Sequence, residues 1–185
     1  MSKNSNQQVT LHGSLVEVYE VGVLLKGPSA IGKSESAVEM VMAGHKFIAD
    51  DVVLVKKRNN QLIGSQLSTE SKNYPVEVKG LGIIDVAELF GTRAVKKSGV
   101  IEIEVELYAP VDNKIVSGEY LGDLTESKKY LGIEVNYYRI PVTPGRNVSK
   151  LVEIIVLNYK VMKKSGKSFI DNLNQDIIDR NLRGE

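Results

Sequence analysis

The segment of residues 27–34 carries the clearest chemical signal, because it fits the phosphate-loop pattern G-x-x-x-x-G-K-[ST]. Glycines allow successive backbone N–H groups to converge on phosphate oxygens, and the N-terminus of a following helix adds a partial positive charge. Lys33 is then expected to reach the β- and γ-phosphates, and the Ser34 hydroxyl suits Mg²⁺. The segment therefore predicts a site for a purine nucleoside triphosphate with Mg²⁺. The predicted nucleotide-binding residues are Gly27, Pro28, Ser29, Ala30, Ile31, Gly32, Lys33 and Ser34.

Two adjacent carboxylates, Asp50 and Asp51, follow this segment and lie between the apolar runs 47–49 and 52–54. Carboxylates in such surroundings need a metal ion, a cation or a hydrogen-bond partner. Because neighbouring residues of a strand point to opposite faces, the two aspartates are expected to have different roles. One would face the phosphate site and either bind Mg²⁺ or accept a proton from a nucleophile.

Three further polar residues are candidates, and each has a structural alternative. Glu77, flanked by apolar residues, is either a second metal ligand or an outward-facing strand residue. His12 either orients an aspartate or has a structural role. Arg146, in a turn that precedes a predicted helix, either binds a phosphate with its planar fork or is a surface or capping residue.

The elements that must position these residues belong to an α/β protein with a strand-rich, mixed sheet. Residues 100–107 alternate almost strictly between apolar and charged residues, which predicts a half-buried antiparallel strand. The polar stretch 109–130 predicts a mobile or partner-contacting loop. The other predictions are two strands within 9–26, a helix at 34–43, a strand at 46–55, a hairpin turn at 59–60, a strand, glycine-rich turn and short helix within 75–91, a strand at 131–142 and a helix at 148–164.

The length of 185 residues predicts one domain, over 9–165. A disordered tail is expected over 1–8, and a C-terminal helix over 166–185 that belongs to the same domain or to an oligomer interface. Lys and Arg number 24 against 23 Asp and Glu, so bulk charge gives no support for a nucleic-acid partner.

The chain has no cysteine, which excludes disulfides, thiolate metal sites, iron–sulfur clusters and a cysteine nucleophile. It also has no apolar segment long enough to cross a bilayer and no secretion signal. We therefore expect a cytoplasmic protein that does not bind membranes.

Several of these segments together resemble the catalytic domain of the HPr kinase/phosphorylase family. The resemblance spans about residues 9–165, in the family's order. The matching stretches are 11–13, 32–35 continuing through 44–45 to 49–51, 77–86 with 89–91, and 141–142 with 144–147 and 158–159. The family's separate N-terminal domain is not matched, so we expect a short or divergent member.

The resemblance implies an activity and a role for each matching residue. Members of this bacterial family use ATP to phosphorylate a serine of HPr, the phosphocarrier of the sugar phosphotransferase system, and remove that phosphate with inorganic phosphate to give pyrophosphate. Asp51 would be the base that deprotonates the serine and the acid of the reverse reaction, with His12 supporting it. Ser34 and Glu77 would hold Mg²⁺. The implied catalytic set is Asp51, His12, Lys33, Asp50 and Arg146.

The resemblance also implies architecture. The fold would be the P-loop-containing mixed sheet of the phosphoenolpyruvate carboxykinase-like type, with C-terminal helices. Residues 76–85 would serve both reactions, and residues 141–146 would serve mainly the dephosphorylation. The assembly would be a homo-oligomer, a hexamer in this family.

The chain departs from the family pattern at positions close to the expected phosphate site. Tyr120 and Thr143 stand where the family usually carries arginines, and a tyrosine does not supply a fixed cationic fork. We therefore expect the phosphate-dependent dephosphorylation to be weakened. Pro28 and Ala30 replace acidic and glycine residues in the phosphate loop. Two alternatives to an HPr kinase stay open: a kinase for another protein or a small hydroxylated molecule, and a non-catalytic nucleotide-binding module that regulates a partner.

Overall fold

The computed structural model of the protein describes residues 7–68, 72–110 and 126–166. Within these ranges the chain forms a curled nine-stranded sheet, a separate two-stranded hairpin and three α-helices. The strands are β1 (Gln8–His12), β2 (Ser14–Val18), β3 (Val21–Lys26), β4 (Lys46–Ala49), β5 (Val52–Arg58), β6 (Gln61–Ser65), β7 (Pro75–Val78), β8 (Gly82–Asp85), β9 (Ser98–Tyr108), β10 (Glu126–Tyr130) and β11 (Ile133–Pro141). The helices are α1 (Lys33–Met42), α2 (Val86–Phe90) and α3 (Val148–Ser165), with a short 3₁₀ turn at Thr92–Ala94. Across the described ranges, no helix combines the length and the apolar character needed to cross a bilayer.

The large sheet is built around β9. Its strand order is β1-β5-β6-β9-β3-β2-β4, with β11 beside β9 and β10 beside β11. Strand β9 runs parallel to β3 on one side. On its other side it pairs antiparallel with β6 near its start and parallel with β11 near its end. The carboxyl ends of β3, β9 and β11 therefore meet at one edge of the sheet, and the phosphate-loop segment leaves the sheet at that edge.

Two hydrophobic clusters cover the two faces of β3. Val23 and Leu25 face the cluster that includes Met40 of α1 and Ile155 of α3. Leu24 faces the second cluster, which lies against the curled part of the sheet. Burying each such side chain contributes about 1.5–3 kcal/mol. This double burial explains why residues 21–25 are apolar at every position apart from Gly22.

The sequence-based prediction of two strands within 9–26 is wrong, because this segment forms three. The chain turns sharply at Gly13 between β1 and β2, where the Gly13 N–H donates to the Asp51 carbonyl oxygen at 3.0 Å. A Cβ atom at Gly13 would lie 2.4 Å from the Leu25 carbonyl oxygen, so a larger residue could not be accommodated without moving the backbone. The helices predicted at 34–43 and 148–164 are present as α1 and α3.

The prediction of β9 as an antiparallel strand is wrong for most of its length, because β9 pairs parallel with β3 and β11 and antiparallel with β6 at residues 98–100. The predicted alternation is present for the most part, with buried apolar residues between less buried positions. The glutamates of β9 lie in the interior of the sheet, where side chains of α3, β10 and β11 pair with them. Glu104 is fully buried there and accepts hydrogen bonds from Lys128 and from the Tyr130 hydroxyl. The sequence pattern is typical of a strand with one solvent-exposed face, but here paired carboxylates occupy positions that are partly or fully buried.

Four smaller predictions also need correction or fall outside the described ranges. Residues 82–85 form a second strand, β8, where a turn was expected, and residues 126–130 form β10 within the expected loop. Gln8 already belongs to β1, so the expected tail is too long at its end. The expected disorder of residues 1–6 and the C-terminal helix over 167–185 lie outside the described residues.

Candidate functional site

The phosphate-loop segment connects β3 to α1 with the strand–loop–helix geometry that the motif requires. Gly27 has φ +139°, and its α-carbon lies so close to β9 that an added Cβ would be 2.4 Å from the Leu107 carbonyl oxygen. Gly32 has φ +100° and directly precedes α1. Ala30 has φ +60°, a left-handed conformation that costs a residue with a Cβ about 1–2 kcal/mol. The loop thus forms with alanine at this position, at an energetic cost.

The Lys33 side chain folds over this loop and is only 8% exposed. Its ammonium group donates to the carbonyl oxygens of Gly27, at 3.1 Å, and Pro28, at 2.8 Å. These two contacts hold the positive charge at the centre of the loop. A phosphate group that enters the loop would replace these carbonyl oxygens as the partner of the ammonium group.

The strand predicted over 46–55 is broken at the aspartate pair. Strand β4 ends at Ala49 and β5 begins at Val52. Asp51 has φ +65°, and the Val52 N–H donates to the Asp50 carbonyl oxygen at 2.8 Å, which closes a tight turn. The two carboxylates point to different sides, but a strained turn rather than strand alternation separates them. Their different roles stay a prediction.

The Asp50 carboxylate points toward the loop side of this turn. Its Oδ2 accepts the Ser34 hydroxyl at 2.8 Å, and its Oδ1 accepts the hydroxyl of Ser14, a residue with no solvent exposure. Asp50 therefore connects the first turn of α1 to the first residue of β2.

The Asp51 carboxylate points to the other side of the turn and reaches solvent. Its Oδ1 lies 3.1 Å from Nδ1 of His12, the last residue of β1. The Asp51 side chain is 77% exposed and that of His12 57% exposed. This pair can accept or hand over a proton at the surface of the cavity described next.

A cavity of about 1140 Å³ lies between the loop, the aspartate turn and the β7–β8 hairpin. The sequence-predicted residues that line it are His12, Ser29, Ala30, Gly32, Lys33, Ser34, Asp50, Asp51 and Glu77. Gly27, Pro28 and Ile31 belong to the loop but do not line the cavity, and Ile31 packs against the hydrophobic core instead.

The β7–β8 hairpin forms the wall of the cavity that faces the loop. Glu77 is an exposed residue of β7, opposite Ile83 of β8, and both line the cavity. The Lys79 N–H donates to Glu35 of α1 at 3.4 Å, which joins the hairpin to the helix. Asp85 accepts N–H groups from the first turn of α2 and from Tyr74. Burial and this nearby carboxylate raise the pKa of Tyr74.

Arg146 is not among the residues that line this cavity in the described part of the chain. It lies in a turn in which the backbone N–H of Arg146 donates to the Thr143 carbonyl oxygen at 3.1 Å. The next residue, Asn147, caps α3 by accepting the Lys150 N–H at 2.9 Å. The turn follows β11, so it lies at the same sheet edge as the phosphate loop, two strands or about 10 Å away. Tyr120 lies outside the described residues.

Several polar residues of this region were not among the predicted site residues, and Ser14 and Gln66 are two of them. Ser14 follows His12 and Gly13 directly and opens an otherwise apolar strand, a signal that could have identified it. Gln66 lines the cavity, and among the described residues its side-chain nitrogen is buried without a hydrogen-bond partner. No local pattern distinguishes Gln66 from the polar loop that follows it.

The strand–loop–helix arrangement defines an α/β domain of the phosphate-binding-loop class. The Asp50 carboxylate accepts a hydrogen bond from the loop serine, Ser34. The family model described as HPr serine kinase C-terminal domain matches residues 3–177. The chain belongs to this family, and the mixed α/β fold expected from the sequence is confirmed.

Individual relatives agree with this assignment. An HPr kinase/phosphorylase of Chlorobium phaeobacteroides is 36% identical over 172 residues, which cover 93% of this chain and 51% of that protein. An HPr kinase/phosphorylase of Malacoplasma penetrans is 38% identical over 171 residues, or 91% of this chain and 55% of that protein. The chain thus spans about half the length of these curated relatives.

A solved structure, that of the Hpr(Ser) kinase/phosphatase from Coxiella burnetii, superimposes with a TM-score of 0.76 at 34% identity. The match covers 85% of this chain and 93% of that one.

Proposed function

We propose that the protein is an ATP- and Mg²⁺-dependent protein-serine kinase that transfers the γ-phosphate to a serine of the phosphocarrier HPr. One observation carries the proposal: a single cavity contains the phosphate loop with Lys33 on one side and the His12–Asp51 pair on another. Phosphoryl transfer needs a cationic cradle for the nucleotide and a proton acceptor for the attacking hydroxyl, and the cavity holds both. The family assignment supports the same reaction.

In the proposed reaction the serine hydroxyl of the substrate attacks the γ-phosphorus in line. The new oxygen–phosphorus bond forms as the bond to the β–γ bridging oxygen breaks, and ADP leaves with that electron pair. Asp51 takes the serine proton, and His12 orients the carboxylate that receives it. Lys33 exchanges its loop carbonyl partners for phosphate oxygens and offsets their growing charge.

The residues around Ser34 fit a magnesium ion. Ser34 donates its proton to Asp50, so its oxygen lone pairs stay available, and Glu77 adds an exposed carboxylate to the same cavity. In the described part of the chain, no three His, Asp or Glu side chains converge as a complete metal cage. Mg²⁺ usually binds one or two protein oxygens and completes its shell with water and substrate phosphates, so Ser34 and Glu77 would be sufficient protein ligands. When bound, Mg²⁺ would neutralise phosphate charge.

We further propose that the protein works in the cytoplasm as a homo-oligomer, a hexamer as in its family, and that its phosphate-dependent dephosphorylation is weakened. Thr143 supports the weakened reaction, since a hydroxyl stands there in place of a cation in the turn next to the loop edge. Arg146 in that turn is retained as the cation for this second reaction.

The test is phosphotransfer from γ-labelled ATP to purified HPr with Mg²⁺. We expect label on the HPr serine, lost with Lys33→Ala and with Asp51→Asn, and slow or absent phosphorolysis when phospho-HPr is given inorganic phosphate. If ATP is turned over but HPr stays unlabelled, the substrate would instead be another protein or a small hydroxylated molecule. Nucleotide binding with no turnover of any kind would instead support the regulatory module.

A further inference from the structure

Ser14 has a buried hydroxyl group that the proposed reaction does not use directly. Ser14 opens β2, is 0% exposed, and donates to Oδ1 of Asp50. The second oxygen of that carboxylate, Oδ2, accepts the Ser34 hydroxyl at 2.8 Å. The two hydrogen bonds that described side chains give to the Asp50 carboxylate thus come from serines 20 residues apart in sequence, one on each side.

A serine hydroxyl has one proton and two lone pairs, and this fixes what Ser34 can do. While its proton is donated to Asp50, both lone pairs of the Ser34 oxygen can face a cation. The terminal torsion of an aspartate has a broad range, so the Asp50 backbone alone does not set the plane of its carboxylate. The hydrogen bond from Ser14 sets that plane.

The backbone around Ser14 is suited to this task. Ser14 pairs with Leu25 of β3, and Leu15 pairs with Ala49 of β4. The preceding residue, Gly13, is tied to Asp51 by its N–H. The hydroxyl is therefore presented from a buried strand in the interior of the sheet and not from a loop.

We propose that Ser14 is a positioning residue for the magnesium site. Its hydroxyl holds Asp50 in the plane in which the carboxylate accepts the Ser34 proton, so that the Ser34 oxygen presents its lone pairs to the ion. The inference rests on the proposed function, in which Ser34 and Glu77 hold Mg²⁺.

The test measures Mg²⁺ affinity and does not depend on turnover. Mg²⁺ is titrated calorimetrically into the full chain saturated with a non-hydrolysable ATP analogue, and analogue binding is measured separately in EDTA. We expect Ser14→Ala to weaken Mg²⁺ binding by about 10-fold or more, as loss of residues that orient metal ligands does, with analogue binding in EDTA unchanged. Ser14→Thr, which keeps the hydroxyl, should restore most of the Mg²⁺ affinity.

The matched control is Ser149→Ala. Ser149 is also buried, at 5% exposure, and its hydroxyl donates to Asn147 at 2.7 Å at the start of α3. The Ser149→Ala variant should leave both the Mg²⁺ affinity and the analogue binding in EDTA unchanged. If Ser14→Ala does not fold, Ser14→Cys replaces it, because a thiol of similar size is a weak donor and should show the same loss.

The outcomes separate this inference from the proposed function. Unchanged Mg²⁺ affinity in Ser14→Ala, with a clear loss in Ser34→Ala, overturns the positioning role and leaves the magnesium site in place. Equal losses with and without Mg²⁺ also overturn it, since they indicate general damage to the loop. If the unmodified protein shows no Mg²⁺-dependent binding at all, the magnesium site of the proposed function fails.

Discussion

His12 and Asp51 meet at the surface of the cavity, with Nδ1 of the imidazole 3.1 Å from Oδ1 of the carboxylate. The contact joins the end of β1 to a turn in which Asp51 has φ +65°. A strained backbone conformation at an exposed carboxylate, such as that of Asp51, is typical of functional sites. Replacing Asp51 therefore provides the most direct test of the proposed reaction.

Asp51→Asn should lower the rate of phosphoryl transfer by about 10²–10⁴-fold, because an amide does not accept the serine proton. Asparagine tolerates positive φ, so the turn should persist and nucleotide affinity should be unchanged. Single-turnover transfer and equilibrium nucleotide binding measure the two effects. Glu88→Gln, which removes another carboxylate that lines the cavity, is the control and should keep the full rate. An equal loss in both variants would argue against a base at Asp51.

Ala30→Gly should increase the free energy of unfolding by about 0.5–1 kcal/mol, because glycine adopts φ +60° without steric cost. Urea unfolding measures this change. Ala43→Gly is the matched control, since Ala43 is exposed and has φ −78°. There, added chain flexibility without relief of strain should lower stability. A loss of stability in both variants would mean that the left-handed conformation of Ala30 stores no strain.

Lys128→Met should destabilise the fold by about 2–4 kcal/mol, because it leaves the buried carboxylate of Glu104 close to that of Glu106 without a cation. The Lys128 ammonium lies 2.9 Å from Glu104 and 3.0 Å from Glu106. Hydrogen bonds from Tyr137 and Lys128 lower the pKa of Glu106, and burial together with Glu106 raises the pKa of Tyr137 to about 12.

Chemical unfolding of Lys128→Met and of Lys129→Met measures this effect. Lys129 is the exposed neighbour on the same strand, and its replacement should be nearly neutral. Equal stability of the two variants would show that the carboxylates do not need the ammonium.

The stability of the protein should fall in acid through Glu153, which joins α3 to His45 in the segment between α1 and β4. Burial alone would raise its pKa, but hydrogen bonds from Lys150 and His45 outweigh burial and hold the pKa below its usual 4.5. Because the folded pKa is the lower one, the carboxylate contributes its stability above pH 4.5, and that contribution is lost as the pH falls through the folded value.

Urea unfolding between pH 7 and pH 3 tests this prediction. Glu153→Gln should be less stable than the unmodified protein at pH 7, and the gap between them should narrow below pH 4.5. Glu39→Gln, an exposed change on α1, provides the baseline. A gap that stays constant across this range would contradict the proposed origin of the acid sensitivity.

Within the described ranges the buried Gln66 side-chain nitrogen has no hydrogen-bond partner. Gln66→Met should therefore stabilise the protein by about 1 kcal/mol, because an unpaired buried donor costs about 1–3 kcal/mol. Methionine has a similar shape and no donor to satisfy. Thermal or urea unfolding measures the change, with Gln61→Met at an exposed position of β6 as the control. A less stable Gln66→Met variant would indicate that the amide makes a contact that the fold requires.

Local signals in the sequence predicted the parts of the fold that depend on neighbouring residues. The phosphate loop and α1 follow from glycine and lysine spacing within one short segment, and α3 from its apolar periodicity. The hairpin turn between β5 and β6 follows from Asn59 and Asn60, which both adopt positive φ, as a two-residue hairpin turn of this kind requires. These features are decided by backbone geometry over a few residues.

The sequence-based predictions that were wrong concern features that depend on residues distant in the chain. Strand β9 runs parallel to its partners β3 and β11, and its buried Glu104 is paired with Lys128 and Tyr130 from a distant segment. Alternation in a single strand records which faces are polar. It does not record which distant side chains pair with the polar residues.

The sequence by itself determined that this chain carries a phosphate loop, two adjacent aspartates between apolar runs and the motifs of one family. Only the tertiary structure decided which carboxylate faces which partner: Asp50 lies between Ser14 and Ser34, while Asp51 meets His12. The physical reason is that a side-chain hydrogen bond needs its two groups within about 3 Å. For Ser14 and Asp50, which are 36 residues apart, the packing of the sheet sets that distance.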